Sequence, residues 1–131
     1  MAVEGLVTST SPRPPAEVIA RLKAEIAARK LTIFAEIDHA AGAEAVGLTL
    51  RPLFLLIFGE AKGGTPLMQA GATAGIDLPL KFLVWQDAEG ETQVSYNDPD
   101  WVAKRHGLGE AVEAPVRVLS GLLGGLAAAA V

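Results

Sequence analysis

Apolar residues recur along the chain with two different spacings, and the alternation of those spacings predicts the elements. From Val3 to Thr10 every second residue faces the same way, so Val3, Gly5, Val7 and Ser9 share one side of a first strand. Ser11-Pro12-Arg13-Pro14-Pro15 breaks that strand and opens a helix, because proline is tolerated in the first helical turn. Over Ala16–Lys30, Val18, Ile19, Leu22 and Ile26 fall on one helical stripe, with Glu17, Arg21, Lys23 and Glu25 facing out. Leu31–Ile37 returns to alternation, with Ile33, Ala35 and Ile37 on one side and Thr32, Phe34 and Glu36 on the other.

Further along, Asp38 is a suitable N-cap for a short Ala-rich helix that ends at Gly47 as a left-handed C-terminal residue. Leu53–Phe58 is continuously apolar, as expected of a central strand covered on both sides. Gly59–Thr65 reads as a flexible loop, with Thr65 and Pro66 as N-cap and first residue of a brief helix that Gly71 and Gly75 interrupt. Leu78–Gln86 and Glu91–Tyr96 flank Asp87-Ala88-Glu89-Gly90, a four-residue hairpin loop. Asp98-Pro99 starts a helix that Gly107 closes, and Val116–Val131 forms a last helix with Val116, Leu119, Leu123 and Leu126 on its stripe. Five strands and about five helices in mixed order predict an α+β fold: a mixed, mainly antiparallel sheet packed with helices, plus a C-terminal helix.

Composition narrows the function classes. The 131 residues make one domain, half hydrophobic but only 5% aromatic, so Leu, Val, Ile and Ala must build the core. A mean hydropathy of +0.35 predicts a buried subunit interface. The net charge of −4, with 11 scattered Lys and Arg, argues against nucleic acid as a partner. No basic cluster suits a membrane surface, and the apolar tail Val118–Val131 falls short of the roughly 20 residues of a spanning helix, so no membrane insertion is expected. Without cysteine there is no disulfide, thiolate metal site or thiol catalysis, and the start lacks the pattern of a signal peptide. A soluble, cytoplasmic protein is expected.

The ordered strings Ile37-Asp38-His39-Ala40-Ala41, Leu50-Arg51-Pro52, Phe58-Gly59, Gly64-Thr65-Pro66-Leu67-Met68, Asp77-Leu78-Pro79-Leu80-Lys81, Val94-Ser95-Tyr96-Asn97-Asp98-Pro99 and Arg105-His106-Gly107-Leu108 carry a resemblance. The chain resembles the bacterial and archaeal family known as domain of unknown function 302. That resemblance implies a small α+β domain, usually the whole protein, that looks like a homodimer former, and it implies no established activity. The family-like core covers residues 1–108 of the single domain 1–131, with a helical tail over 109–131.

The unusual chemistry gathers where strands hand over to helices. His39 at a helix start feels the positive dipole end, which favours the neutral ring able to accept a proton or donate to an oxyanion. Gly59 and Gly64 have the separation of a phosphate loop, but Thr65 stands where its lysine belongs, so an NTPase is rejected. A Gly-rich backbone, a helix N-terminus and Lys62 could still hold an anion. Tyr96 and Asn97 precede the Asp98 cap without being needed for capping, and Arg105-His106 sits at the far end of the same helix, where cations are favoured. The leading expectation is therefore a homodimeric module binding a small anionic or polar ligand through Asp38, His39, Lys62, Thr65, Tyr96, Asn97, Asp98 and His106. A second is a small isomerase or hydrolase with His39 as base or electrophile and Asp98 or Tyr96 as partner. A third is a metal or haem binder using His39, His106 and Met68, although no ligand spacing supports it. No cofactor is specified by the residues. All three readings require the separate clusters to converge.

Overall fold

A computed structural model describes residues 2–131. The strands are β1 (Leu6–Ser11), β2 (Thr32–Asp38), β3 (Leu53–Gly59), β4 (Leu80–Gln86) and β5 (Thr92–Asn97). The α-helices are α1 (Pro15–Ala28), α2 (His39–Ala45), α3 (Ala61–Ala70), α4 (Pro99–Arg105) and α5 (Glu113–Ala130), with 3-10 turns at Ala72–Asp77 and Glu110–Val112. The strands form one sheet in the order β1-β5-β4-β3-β2, and all four pairings are antiparallel. This is the α+β architecture that the periodicities predict.

Local chemistry explains most boundaries. Pro14 caps α1 in extended conformation and Pro15 occupies its first position. Asp38 accepts the Ala41 N–H at 2.9 Å to start α2, and Gly47 takes the left-handed φ of +79° after it. Asp98 likewise accepts the Asp100 N–H, and Gly107 turns the chain after α4 with φ +62°.

Two elements depart from the pattern. α3 begins at Ala61, so Gly63, Gly64 and Thr65 are helical and Pro66 lies inside the helix rather than at its start. The bond that Pro66 cannot donate would end on the Lys62 carbonyl, and Lys62 lies on the solvent-exposed side of the helix. In β2, the register shifts between Ile33 and Ala35. Ile33 pairs with Phe58, whereas Ala35 and Ile37 pair with Ile57 and Leu55 on the opposite face, so the three residues do not share one side. Phe34 is the extra residue of the bulge.

The helices cover one face of the sheet. Val18, Leu22 and Ile26 of α1 and Leu123 and Leu126 of α5 bury against Leu56, Phe58, Phe82 and Val84. Phe58 and Phe82 stack at 5.2 Å, and Tyr96 meets Phe82 edge-on at 5.7 Å. Each of these side chains contributes about 1.5–3 kcal/mol by leaving water. A smaller cluster of Leu67, Ala74, Leu108, Val112, Val116 and Leu119 joins α3 and the 3-10 turns to α5.

The tail helix is also longer than the pattern suggested. With its 3-10 lead-in, Glu110–Ala130 is long and apolar enough in length and composition to cross a membrane. In this fold its stripe of Val116, Leu119, Leu123, Leu126, Ala127 and Ala130 is buried in the core.

Candidate functional site

The antiparallel topology decides which of the polar clusters can meet. Asp38 pairs with Phe54 near the start of β3, while Thr32 pairs with Gly59 at its end. Five residues of strand separate Phe54 from Gly59, about 17 Å. Asp38 and His39 therefore lie at one end of the sheet, with the β4–β5 hairpin. Gly59, α3, the start of β4 and the end of β5 lie at the other. The eight expected site residues do not form one pocket, and His39 does not share a site with His106, Tyr96 or Asp98. The His39–His106–Met68 ligand set and the pairing of His39 with Asp98 or Tyr96 fail for the same reason. Among the described residues no three His, Asp or Glu side chains are grouped to hold a metal ion.

Each residue has a local role instead. Asp38 is the cap of α2, beside an exposed His39. Lys62 and Thr65 are exposed positions within α3. Tyr96 points into the core, its hydroxyl over Gly124 of α5, where a Cβ would lie 3.8 Å away. Burial first, and the neighbouring Asp98 carboxylate second, push the Tyr96 phenol above its usual pKa. Asn97 is exposed, and with Asp77 and Lys81 it borders a cleft of about 20 Å³, below ligand size.

His106 belongs to a cluster that spacing did not reveal. Its Nε2 lies 2.6 Å from the Asp77 carboxylate and its Nδ1 2.9 Å from the Thr73 hydroxyl. Arg105 donates to both Asp77 oxygens at 2.9 and 2.8 Å and lies 5.9 Å from the Trp101 ring centre. The side chains of His106 and Asp77 are only 7% and 12% exposed. Lys81 donates to the carbonyls of Asp77 and Pro79, and burial lowers its pKa despite the Asp77 charge. Hydroxyl, imidazole and carboxylate in sequence are the parts of an activated nucleophile. However, Arg105 already pairs with both Asp77 oxygens and neutralises the carboxylate. The cluster fastens the end of α4 to the 72–77 turn. Thr73 and Asp77 lie 33 and 29 residues from His106, so only the Asp77-Leu78-Pro79 string drew attention to that region.

A cavity of about 350 Å³ lies beside this cluster, at the Gly59 end of the sheet. Phe34 at the β2 bulge, Met68 of α3, Leu78-Pro79 and Val118 and Leu122 of α5 wall it with apolar surface. Gly63 and Gly64 form its α3 side, and a Cβ on Gly63 would stand 3.3 Å from Leu119. Glu60 is its one charged lining residue; the Glu60 side chain caps no amide of α3, while its carbonyl accepts the Gly63 and Gly64 N–H groups at 3.1 and 3.5 Å. None of the eight expected residues lines it. The missed signal was the extra residue in β2, which brings Phe34 round to this wall.

The fold and its apolar cavity define a small α+β domain with a five-stranded antiparallel sheet and helices on one face. The chain belongs to the family described as Domain of unknown function DUF302, whose model matches residues 7–124 and so reaches well into α5. A crystal structure of an uncharacterized conserved DUF302 protein from Bacillus stearothermophilus superposes with a TM-score of 0.86. That likeness covers 98% of this chain and 100% of that one at 15% identity, which shows the fold alone. Two proteins named fluoride-specific ion channel FluC 1, from Brucella suis biovar 1 (strain 1330) and Brucella abortus biovar 1 (strain 9-941), are each 41% identical over 115 residues. The match covers 88% of this chain but 45% and 43% of those proteins, so the chain spans less than half their length.

Proposed function

We propose that this domain is a binding module for a small, neutral, largely apolar molecule carrying one hydrogen-bond acceptor. The observation behind it is the 350 Å³ cavity between α3, Leu78-Pro79 and α5, a volume within the range of small-ligand sites. Its apolar walls favour a hydrocarbon body, and the Ala61 N–H at the start of α3, which the Glu60 side chain does not cap, offers a donor to one carbonyl or ether oxygen. Glu60 at the mouth opposes an anion, so the ligand moves from the anionic class that the helix starts suggested to a neutral one. The same reading keeps the protein soluble and cytoplasmic, with α5 folded on the sheet. Val118 is 69% exposed at the mouth, so Val118→Trp should close the cavity without touching the core. A thermal-shift screen of small ketones, esters and carboxylates tests the reading. Neutral compounds should raise the melting temperature of the parent and leave Val118→Trp unmoved. Equal shifts in both proteins, or a preference for carboxylates, refute it.

A second reading draws on the Brucella relatives, whose name is that of an ion channel while this chain matches less than half of their length. The domain would then accompany fluoride transport as a part distinct from the pore. Fluorine NMR of sodium fluoride, with chloride at matched ionic strength as competitor, tests direct contact with the ion. Line broadening abolished by protein unfolding supports it, and unchanged fluoride lines reject fluoride binding by this domain.

A further inference from the structure

Met68 carries the only sulfur atom of residues 2–131, since the chain lacks cysteine and its other methionine is Met1. A thioether packed inside a core is shielded from oxidants, whereas Met68 stands on the cavity wall with 38% of its surface exposed. Glycines flank it on two sides. A Cβ on Gly75 would sit 3.5 Å from the Met68 Sδ, and one on Gly64, a turn earlier in α3, would sit 3.8 Å from its Cε. Both are ordinary packing distances, so side chains at 64 and 75 would enclose the thioether, and the glycines leave it open there. Apart from Met68 itself, the lining side chains are hydrocarbon or, at Glu60, a carboxylate, so none of them can donate a hydrogen bond.

We infer that Met68 is an oxidation site whose sulfoxide turns the cavity from ligand-accepting to ligand-rejecting, an inference that rests on the binding function proposed above. The oxidant is of the peroxide class. A sulfur lone pair attacks one oxygen of hydrogen peroxide and the O–O bond breaks. The departing hydroxide takes the proton of the transferred hydroxyl and leaves as water. Sulfur loses two electrons in becoming the sulfoxide, and the peroxide gains them. The new S=O group is a strong acceptor on a wall whose side chains hold no donor, so it keeps a water that a hydrocarbon body must strip away. Oxidised Met68 therefore disfavours the neutral, apolar ligand. Reductases return the sulfoxide to the thioether, so the change is reversible.

The full chain treated with millimolar hydrogen peroxide tests this, with methyl hexanoate as the neutral probe. Peptide mass spectrometry should place one added oxygen on Met68. Melting temperature followed against methyl hexanoate concentration gives an apparent affinity. That affinity should fall at least about tenfold on oxidation of the parent. Met68→Leu keeps the volume and lacks sulfur, so it should bind the probe alike before and after peroxide. Met68→Gln puts a polar group on the wall without any oxidant and should bind weakly, even if the peroxide-treated parent proves poorly folded. Equal affinity in the reduced and oxidised parent, parent-like binding by Met68→Gln, or oxygen uptake at Trp85 or Trp101 in place of Met68 overturns the switch and leaves the cavity reading standing. A reduced parent that ignores methyl hexanoate and the other neutral ketones and esters brings down the cavity reading and the switch together.

Discussion

Replacing Asp77 by Ala should destabilise the fold by about 2–4 kcal/mol, and the reasoning runs through His106 more than Arg105. Arg105 is half exposed, so its pair with Asp77 contributes at most about 1 kcal/mol once solvent screening is included. The His106 ring is 7% exposed and loses its Nε2 partner at 2.6 Å, which costs about 1–3 kcal/mol as an unsatisfied buried polar group. For a chain of this length the loss corresponds to a melting temperature lower by about 6–14 °C. Urea titration of the parent, Asp77→Ala, His106→Ala and the double variant forms a thermodynamic cycle. The two single losses should overlap by about 1–2 kcal/mol. A change below 0.5 kcal/mol in Asp77→Ala, or strict additivity, would show that the cluster does not fasten α4 to the 72–77 turn.

Tyr96 is the single tyrosine of the chain, so absorbance near 295 nm follows it alone. Its raised pKa means the fold favours the neutral phenol: that stabilisation is complete below pH ~10 and disappears as pH climbs through the folded value. Tyr96→Phe should flatten the alkaline limb of stability, and an unchanged limb argues against burial as the cause. Gly5→Ala should lose at least about 2 kcal/mol, since its Cβ would fall 2.3 Å from the Trp101 ring at a φ of +77°. Gly124→Ala should go the other way, gaining up to about 1 kcal/mol of helix propensity with its Cβ 3.8 Å from the Tyr96 hydroxyl. Chemical denaturation distinguishes the two signs.

Elements whose signals are local were readable from the chain. The α1 stripe, the Asp38 and Asp98 caps, the 87–90 loop and the closing roles of Gly47 and Gly107 all rest on neighbours within a few residues. What failed depended on pairing. Strand direction, which places His39 a sheet-length from Asp98, follows from five strands pairing antiparallel and leaves no mark on either residue. Ile33, Ala35 and Ile37 alternate perfectly in sequence, yet one unpaired residue between them separates their faces. Thr65-Pro66 carries the composition of a helix start, but the helix begins upstream because α3 can tolerate a missing donor on its wet side. The Thr73–His106–Asp77 cluster joins segments about thirty residues apart. Gly124 rather than Gly121 or Gly125 meets Tyr96, since the rotation of α5 is set by its leucines.

The bulge at Phe34 frees one residue from the ladder. Phe34 has no partner on β3, so deleting it would leave Ala35, Glu36 and Ile37 opposite Ile57, Leu56 and Leu55, with their faces unchanged, and would remove only the side chain that the bulge turns toward the cavity. A single codon therefore supplies a wall of the neighbouring chamber at no cost to the ladder around it, and could be lost or exchanged while the strand keeps its alignment.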